Sequence, residues 1–590
     1  MFKGHPKALY ALALANTGER FGYYTMLAVF ALFLRENFGL EAGTAGAIYS
    51  TFLGLVYFMP LIGGVMADKF GFGKMVTIGI SIMFVGYMLL SFPLGGDMVA
   101  MIAMMAALLF ISLGTGLFKG NLQVMVGDLY NDPKYADKRD SGFSIFYMAI
   151  NVGSLFAPTT AVGIKNWAQN DLGYSSNDAY HFAFAVACVA LILSIIIYYA
   201  FRYTFRHVEG GKKTANATQN VEDNLSPEDT KKRIVALCLV FAVVIFFWMA
   251  FHQNGLTLTY FADEFTYAFA TGFDTMLFDV WNLALLIVAV YASFSIFQSE
   301  SAKGKLGSGL LASAILAFLV YRSFGSEGVE ITVSAPIFQQ FNPFYVVALT
   351  PFSMAIFGAL AKKGKEPSAP RKIAYGMLVA AIGFAIMAAG SQGLNTPNEQ
   401  ARAIAVNNAE TIAEKVYTSN DEATLKVAEK QKSDFESKLT KENKELFNQV
   451  FDASMIVLAS KDNLKTEKPS SEDVVAATAA LEEIKSETKE EKRVSPYWLI
   501  FTYLILTFAE LLLSPMGISF VSKVAPPKLK GLMMGGWFVA TAIGNALVSV
   551  GGFLWAGLPL WIVWTVFISL CLLSALFMFV MMKRLESVAK

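Results

Sequence analysis

Long apolar runs, each separated from the next by a polar segment, occupy most of this chain. A helix needs about 20 apolar residues to cross the hydrocarbon core of a bilayer. The runs that come near this length are 8–34, 43–67, 75–94, 98–127, 142–163, 180–203, 234–261, 275–297, 306–323, 336–361, 373–391, 496–521, 531–555 and 559–582. The pattern predicts an all-α polytopic membrane protein with fourteen spanning helices. An even number of crossings leaves both termini on the same side.

Lysine and arginine are concentrated in alternate loops. The basic loops carry Lys3/Lys7, Lys69/Lys74, Lys134/Lys138/Arg139, the 202–233 stretch, Lys303/Lys305, Lys362/Lys363/Lys365/Arg371/Lys372, Lys523/Lys528/Lys530 and Lys583/Arg584. The loops between them hold few basic residues, such as Arg35, Lys165 and Arg322. Because positive charge stays on the cytoplasmic side, both termini are expected in the cytoplasm. The expected location is the plasma membrane (bacterial inner membrane).

One long segment, residues 392–495, departs from the membrane pattern. It is rich in Ala, Glu, Lys and Asp, and its apolar residues recur at helical spacing, as at Ala405, Ala409 and Ile412. We expect a helical insertion on the extracytoplasmic side. A solvated helical hairpin is the simplest interpretation, and a module that docks a partner protein is the alternative.

Composition argues against several classes of function. The chain has 590 residues, 55% of them hydrophobic and 16% charged, and its net charge of +1 gives no reason to expect a nucleic-acid partner. Cys188, Cys238 and Cys571 lie in apolar runs without metal-site spacing. The sequence lacks the phosphate loop Gly-x-x-x-x-Gly-Lys-(Ser/Thr) and the enzyme motifs His-Glu-x-x-His and Gly-x-Ser-x-Gly. No enzymatic activity, cofactor or metal is expected.

The first apolar run contains two adjacent charged residues, Glu19 and Arg20. Placing such residues at membrane depth costs roughly 2.5–3.5 kcal/mol each on insertion scales. Ionisable residues there usually face a water-filled cavity or one another and mark an ion or substrate path. The alternative interpretation is a structural ion pair that locks two helices together.

Two loops resemble a motif of the major facilitator superfamily. The segment Gly63–Lys74 is similar to its Gly-x-x-x-Asp-(Lys/Arg)-x-Gly-x-(Lys/Arg) loop, and Gly358–Gly364 is a partial repeat at the matching place in the second half. Transporters of this kind are commonly built from related halves with a site near the midplane where they meet.

Further segments resemble the proton-coupled oligopeptide transporter family within that superfamily. Asn16–Tyr24 is similar to its first-helix signature Glu-x-x-Glu-Arg-Phe-x-Tyr-Tyr. The other matching segments are Gly114–Lys119, Phe146–Ser154, Phe247-Trp248 with Gln253, Phe261–Asp263, Asn342-Pro343 and Glu510–Pro515. They follow one another in the order of the family's helices.

This resemblance implies the major facilitator fold, with 12 core transmembrane helices in two six-helix halves, an extra two-helix hairpin (14 helices in total) and the helical insertion. The expected divisions are an N-terminal six-helix bundle (1–205), a cytoplasmic linker (206–232), the first part of the C-terminal bundle (233–391, with the extra hairpin at 275–323), the insertion (392–495) and the last three helices (496–590). The hairpin is expected to be peripheral, with no role in transport.

The resemblance also implies a function: import of di- and tripeptides with protons by alternating access, by a monomer. In the family, a lysine and an arginine bind the peptide carboxylate, and a glutamate binds the amino group. The matching substrate positions are Tyr23, Tyr24, Tyr57, Lys119, Asn151, Asn342 and Glu510. The matching positions for proton coupling and gating are Asn16, Glu19, Arg20 and His252.

Three positions depart from the family pattern. Asn16 replaces the first glutamate of the signature, Leu27 the expected first-helix arginine, and His252 the expected acid of the seventh helix. In the family, that arginine and that acid form a gating salt bridge, and losing both avoids an unpaired buried charge. His252 either titrates near working pH or stays a neutral hydrogen-bonding group. The alternatives to peptide symport are therefore altered coupling (uncoupled or His-based), a non-peptide cargo, or a receptor derived from a transporter.

Overall fold

The computed structural model describes residues 4–210, 226–419, 421–461, 469–555 and 557–589. Nearly all of the long elements in this part of the chain are α-helices. Residues 211–225, which make up most of the predicted 206–232 linker, lie outside the described residues.

The helices follow the apolar runs. In chain order they are α1 (Lys7–Phe38), α2 (Ala42–Phe70), α3 (Phe72–Leu90), α4 (Met98–Asp128), α5 (Arg139–Asn170), α6 (Ser176–Ala200), α7 (Pro227–Phe251), α8 (Thr257–Phe265), α9 (Asp274–Phe278), α10 (Val280–Gln298), α11 (Ala302–Gly325), α12 (Phe341–Lys362), α13 (Ala369–Gly390), α14 (Pro397–Thr418), α15 (Glu422–Glu436), α16 (Lys441–Lys461), α17 (Ser471–Glu487), α18 (Tyr497–Val524), α19 (Lys530–Ala546), α20 (Ser549–Trp555) and α21 (Leu560–Ala589). Short 3-10 turns lie at Leu129–Asn131, Ala136–Lys138, Arg202–Thr204, Arg206–Val208, His252–Gly255, Ala335–Gln340 and Pro527–Leu529.

Helices α1 to α6 form one group, which we call the N-terminal bundle. In it, α1 packs against α5 and α6, and α4 packs against α2 and α3. In the second group, the C-terminal bundle, α13 packs against α18 and α21, and α7 packs against α19 and α21. The bundles meet mainly where α2 lies against α19 and α20 and where α5 lies against α12.

Thirteen helices within the described residues are long and apolar enough to cross a membrane, with α7 and α8 counted as one span and α19 and α20 as another. Helix α1, at 32 residues, is not among them, although it is the first predicted spanning helix. It carries charged residues at both ends and in the middle. The chain is a multi-pass membrane protein.

The seventh predicted helix, 234–261, is broken. Helix α7 ends at Phe251, a 3-10 turn spans His252–Gly255, and α8 begins at Thr257. The buried amide of Gln253 stabilises this break, because its Nε2 donates to the backbone oxygen of Val548 at 3.0 Å and its Oε1 accepts from the Thr257 hydroxyl at 2.8 Å. A polar side chain thus replaces part of the interrupted helical hydrogen bonding.

Two added parts complete the molecule. Helices α10 and α11 pair as a hairpin, and α10 packs on α12. Two short antiparallel strands, β1 (Phe269–Thr271) and β2 (Glu330–Thr332), join the chain before and after this hairpin, with Phe269 opposite Thr332. Arg322 closes the hairpin by donating to Asp279 at 3.1 Å and to Asn282 at 2.6 Å.

The insertion contains four helices, α14 to α17, which is more structure than a hairpin. It has a small core of its own, formed by Val406, Ala409, Ile412, Ala413, Phe447, Val450 and Phe451. Two of the residues picked out by helical spacing, Ala409 and Ile412, lie in that core. We call the end of the bundles that carries the insertion the insertion end, and the opposite end the termini end.

Candidate functional site

Lys119, Tyr57 and His252 come together where the two bundles meet. The ammonium nitrogen of Lys119 lies 3.9 Å from the centre of the Tyr57 ring, which is a cation–π contact. The Tyr57 ring in turn lies 6.1 Å from the His252 ring, edge to face. Lys119 and Tyr57 belong to α4 and α2, whereas His252 lies in the break between α7 and α8. The cluster therefore includes both bundles.

Close packing of α2 on α4 holds the first two of these side chains together. A Cβ atom added at Gly63 would lie 2.1 Å from the backbone oxygen of Gly116, and one added at Gly116 would lie 2.5 Å from the Cβ of Met59. Small residues let membrane helices approach at backbone distance. Because the helices are this close, the long Lys119 side chain lies across the Tyr57 ring.

The carboxylate of Glu510 is held by a neighbouring amide. Asn342 Nδ2 donates to Glu510 Oε2 at 3.0 Å and to the hydroxyl of Thr507 at 3.1 Å, which links α12 to α18. Glu510 also lies close enough to Tyr24 and Tyr57 to interact with them electrostatically. Predicted substrate residues from the two bundles thus lie near one another.

Glu19 and Arg20 form a two-bonded ion pair on α1. Arg20 Nε and Nη2 donate to Glu19 Oε2 and Oε1, each at 2.5 Å, and both side chains are buried. The guanidinium lies 4.7 Å from the ring centre of Tyr23. Both partners lie on one helix, so this pair does not lock two helices together.

The remaining predicted residues are less connected. Asn16 is buried on α1, one turn before Arg20. The Asn151 amide donates to the backbone oxygen of Tyr147 on its own helix at 3.0 Å. Tyr23 and Tyr24 stack edge to face at 5.2 Å. The Tyr23 hydroxyl is buried without a hydrogen-bond partner among the described residues, so it is available to a ligand or to water.

His252 lies among aromatic rings. Its ring centre is 5.2 Å from that of Trp248 and 5.5 Å from that of Phe251. Nδ1 lies 3.2 Å from the backbone oxygen of Trp248, which suits the tautomer that carries its proton on Nδ1. Within the described ranges, no group of three or more His, Cys, Asp or Glu side chains is arranged to hold a metal ion.

An ion pair that sequence reasoning missed joins the two bundles at the insertion end. Arg35 of α1 donates to Glu264 of α8, and its guanidinium lies 4.6 Å from the ring centre of Tyr260. Glu264 also accepts from Trp555 Nε1 at 3.1 Å. The two positions of the family's gating pair are Leu27, which is buried, and His252. Arg35 had appeared only as one of the few basic residues in a loop.

Other polar contacts cross between the bundles at the same end. Gln339 Nε2 donates to the backbone oxygen of Ala28 at 3.0 Å, and the Thr159 hydroxyl donates to Gln340 Oε1 at 2.9 Å. Together with the pair of Arg35 and Glu264, they hold the two bundles in contact at the insertion end.

Known proteins resemble the chain along most of its length. The sequence profile of the POT family matches residues 73–222, 318–429 and 474–553, more than half of the chain. The chain is similar to an uncharacterized transporter, YclF, of Bacillus subtilis (strain 168), with 26% identity over 573 residues that cover 92% of this chain and 87% of the relative. It is also similar to the peptide transporter YePEPT of Yersinia enterocolitica subsp. palearctica serotype O:3 (strain YE-P4), with 24% identity over 575 residues that cover 93% and 88% of the two chains.

Solved structures show the same fold. A crystal structure of the peptide transporter POT in complex with sulfate superposes with a TM-score of 0.62 at 20% identity, covering 100% of this chain and 96% of that chain. A POT family transporter in complex with 5-aminolevulinic acid gives 0.63 at 18% identity, covering 100% and 98%. The predicted all-α major facilitator fold and the predicted family are confirmed, whereas the predicted total of fourteen helices stays a prediction.

Proposed function

Since this chain belongs to the POT family, we propose that it imports di- and tripeptides together with protons by alternating access. One arrangement carries this proposal. A cation on the N-terminal bundle, Lys119, and a carboxylate on the C-terminal bundle, Glu510, face a space lined by Tyr24 and Tyr57. A peptide presents opposite charges at its ends, so a site for it needs an acid and a base on opposite sides.

In this proposal each predicted residue has a role. Lys119 binds the peptide carboxylate, and Glu510, oriented by Asn342, binds the amino group. The pocket is completed by Tyr23, Tyr24, Tyr57 and Asn151. Two similar proteins support the cargo: one is a peptide transporter, and the other is a POT family transporter whose crystal structure holds a thioalcohol conjugated peptide.

Proton coupling is assigned to the first helix. Protonation of Glu19 would remove its charge and free the guanidinium of Arg20, which is otherwise held by two hydrogen bonds. The freed cation would then be available to the cavity, with Asn16 and His252 as polar neighbours in the proposed path. By the charge of its loops, the termini end faces the cytoplasm and the insertion end faces outward from a bacterial inner membrane. The protein is proposed to act as a monomer.

A second candidate keeps the fold but changes the coupling or the cargo. It is favoured by Asn16, Leu27 and His252, which replace an acid, an arginine and an acid of the family pattern. A symporter that lacks these two acids would either pass its proton through His252 or run uncoupled.

Measuring uptake into proteoliposomes distinguishes peptide symport from the second candidate function. Labelled di- and tripeptides are offered with and without an inward proton gradient, with Glu510→Gln as a binding-defective control. Accumulation that requires the gradient supports peptide symport. Exchange without accumulation supports the uncoupled alternative. Absence of any peptide flux would contradict peptide transport and favour a different cargo.

A further inference from the structure

The insertion is fastened to the C-terminal bundle directly beside the pair of Arg35 and Glu264. The buried amide of Gln400 donates to the backbone oxygen of Glu264 at 2.9 Å and to that of Lys492 at 2.8 Å. Because Gln400 and Lys492 lie near the two ends of the insertion, this amide joins both ends to α8, the helix that carries Glu264. Val494 N also donates to Phe265 O at 2.8 Å. These hydrogen bonds join a buried side-chain amide and a backbone amide to backbone oxygens, and buried hydrogen bonds of this kind resist separation.

The far part of the insertion contacts the other bundle. Asp434 of α15 accepts from Gln169 Nε2 and from the backbone nitrogen of Ser176, each at 3.1 Å. Lys430 Nζ donates to the backbone oxygen of Gln169 at 3.0 Å. Gln169 and Ser176 lie at the ends of α5 and α6 that face the insertion. These contacts therefore run from the insertion to the N-terminal bundle.

A third contact reaches helix α1 itself. Lys438 Nζ lies 3.6 Å from Glu36 Oε2, and Lys165 Nζ lies 3.7 Å from the same oxygen. The Glu36 carboxylate raises the pKa of Lys438 above its ordinary value. Glu36 directly follows Arg35 in the sequence, so adjacent residues of α1 are held by the insertion and by the C-terminal bundle.

The insertion is stiff enough to connect its two attachments. Phe447 and Val450 are fully buried in its own core, and the ring of Phe435 packs on that of Phe447 at 5.3 Å. Phe435 directly follows Asp434. A packed core transmits displacement instead of absorbing it, so the contact of Asp434 with the N-terminal bundle is mechanically linked to the attachment at Gln400.

We propose that the insertion is a strap that holds the insertion end closed. It is attached to the C-terminal bundle through Gln400 and contacts the N-terminal bundle through Asp434, Lys430 and Lys438. The contacts with the N-terminal bundle must break each time the transporter opens toward the insertion end. The role of the strap in transport rests on the proposed alternating-access function. The contacts between the insertion and the N-terminal bundle are independent of the cargo.

A reversible cross-link tests the release. In a variant whose three native cysteines are replaced by alanine, Gln169→Cys and Asp434→Cys are introduced together, and peptide uptake is measured after oxidation and after reduction. We expect oxidation to lower uptake by about tenfold or more, because the cycle would be arrested in one state, and reduction to restore it. The control pair Lys415→Cys with Gln431→Cys ties α14 to α15 within the insertion and should leave uptake unchanged. Oxidised protein that transports as fast as reduced protein would overturn the strap.

A distance measurement tests the same proposal without any transport. Spin labels at the exposed positions Leu94→Cys and Leu558→Cys report the separation of the two bundles at the insertion end. Asp434→Ala removes two hydrogen bonds and should raise the population with the longer separation by about tenfold. The control is Glu422→Ala, whose carboxylate pairs, among the described residues, only with Lys426 of its own helix at 2.8 Å. Equal distance distributions for the two variants would refute the strap even if the protein proved to carry another cargo.

Discussion

Two of the ion pairs formed by helix α1 differ in what they connect. Glu19 and Arg20 are neighbours on the helix and are held together by two hydrogen bonds in a buried place. Arg35 reaches across to Glu264 of the C-terminal bundle. The first pair is complete whatever the position of the other bundle, whereas the second exists only while the bundles touch at the insertion end. In the proposed mechanism, the pair of Glu19 and Arg20 can therefore act in proton coupling while the pair of Arg35 and Glu264 acts separately in gating.

The largest effect is expected from Glu19→Gln. It leaves a buried guanidinium without its carboxylate, which costs about 3–5 kcal/mol of stability in comparable cases, and it removes the proposed proton site. We expect a marked drop in the thermal unfolding temperature and loss of gradient-driven uptake. Differential scanning fluorimetry and proteoliposome uptake measure the two effects. The matched control is Glu264→Gln, which should keep its hydrogen bond from Trp555; equal losses in both variants would contradict the distinction between the pairs.

The next largest effect is expected from His252→Gln, which tests whether His252 carries the coupling proton instead of Glu19. If His252 does, the variant should lose accumulation driven by pH but keep counterflow, since glutamine can hydrogen-bond but cannot titrate near neutral pH. The measurement compares accumulation and counterflow in the same vesicles. Accumulation that matches the unaltered protein would assign the proton to Glu19 and leave His252 as a neutral member of the cluster.

An intermediate effect is expected for the pair that joins the bundles. Arg35→Met and Glu264→Gln, separately and combined, form a double-mutant cycle. A hydrogen bond to a charged group contributes about 1.5–3 kcal/mol, so each single variant should change the ratio of the two conformations by about tenfold or more. Spin-label distances at the insertion end give the populations. Effects that simply add in the double variant would show that the pair does not hold the bundles together.

The smallest effect is expected from Arg322→Gln, which breaks the ion pair with Asp279 on the α10–α11 hairpin. Both side chains are partly exposed, so the loss of stability should be within about 1 kcal/mol. Because the hairpin is predicted to be peripheral, initial uptake rates should not change. A clear fall in uptake would instead show that the hairpin has a role in transport. The next contact to test would then be that of Trp281 in the hairpin with Phe156 of the N-terminal bundle, whose ring centres lie 5.1 Å apart.

The helices were predictable from local pattern because crossing a membrane requires an unbroken apolar run. The predicted 98–127 run became Met98–Asp128, a difference of one residue. The break at His252–Gly255 was missed, although its residues His-Gln-Asn-Gly interrupt the apolar run and Asn-Gly favours a turn. Its stabilising partner, Val548, is 295 residues away and could not be read from the local sequence. The insertion was recognised as helical from its spacing, but the number of its helices depends on turns that spacing does not reveal.

The candidate site was predictable only as far as its motifs reach. Asn342 and Glu510 were both picked out, and the structure adds that their side chains are hydrogen-bonded. Arg35 and Glu264 were missed because they are 229 residues apart and belong to none of the motifs. The sequence did contain one signal for this ion pair: opposite charges lie at the ends of two predicted helices on the same side of the membrane.

The close packing of α2 on α4 has a mechanical consequence. No side chain, not even a methyl group, fits at Gly63 or Gly116 without moving the backbone of the facing helix. Helices α2 and α4 are therefore expected to move as one rigid unit, which keeps the backbone positions of Lys119 and Tyr57 at a fixed separation. In the proposed alternating access, the separation between this rigid unit and Glu510 would change, so a bound peptide would have to be long enough to span it.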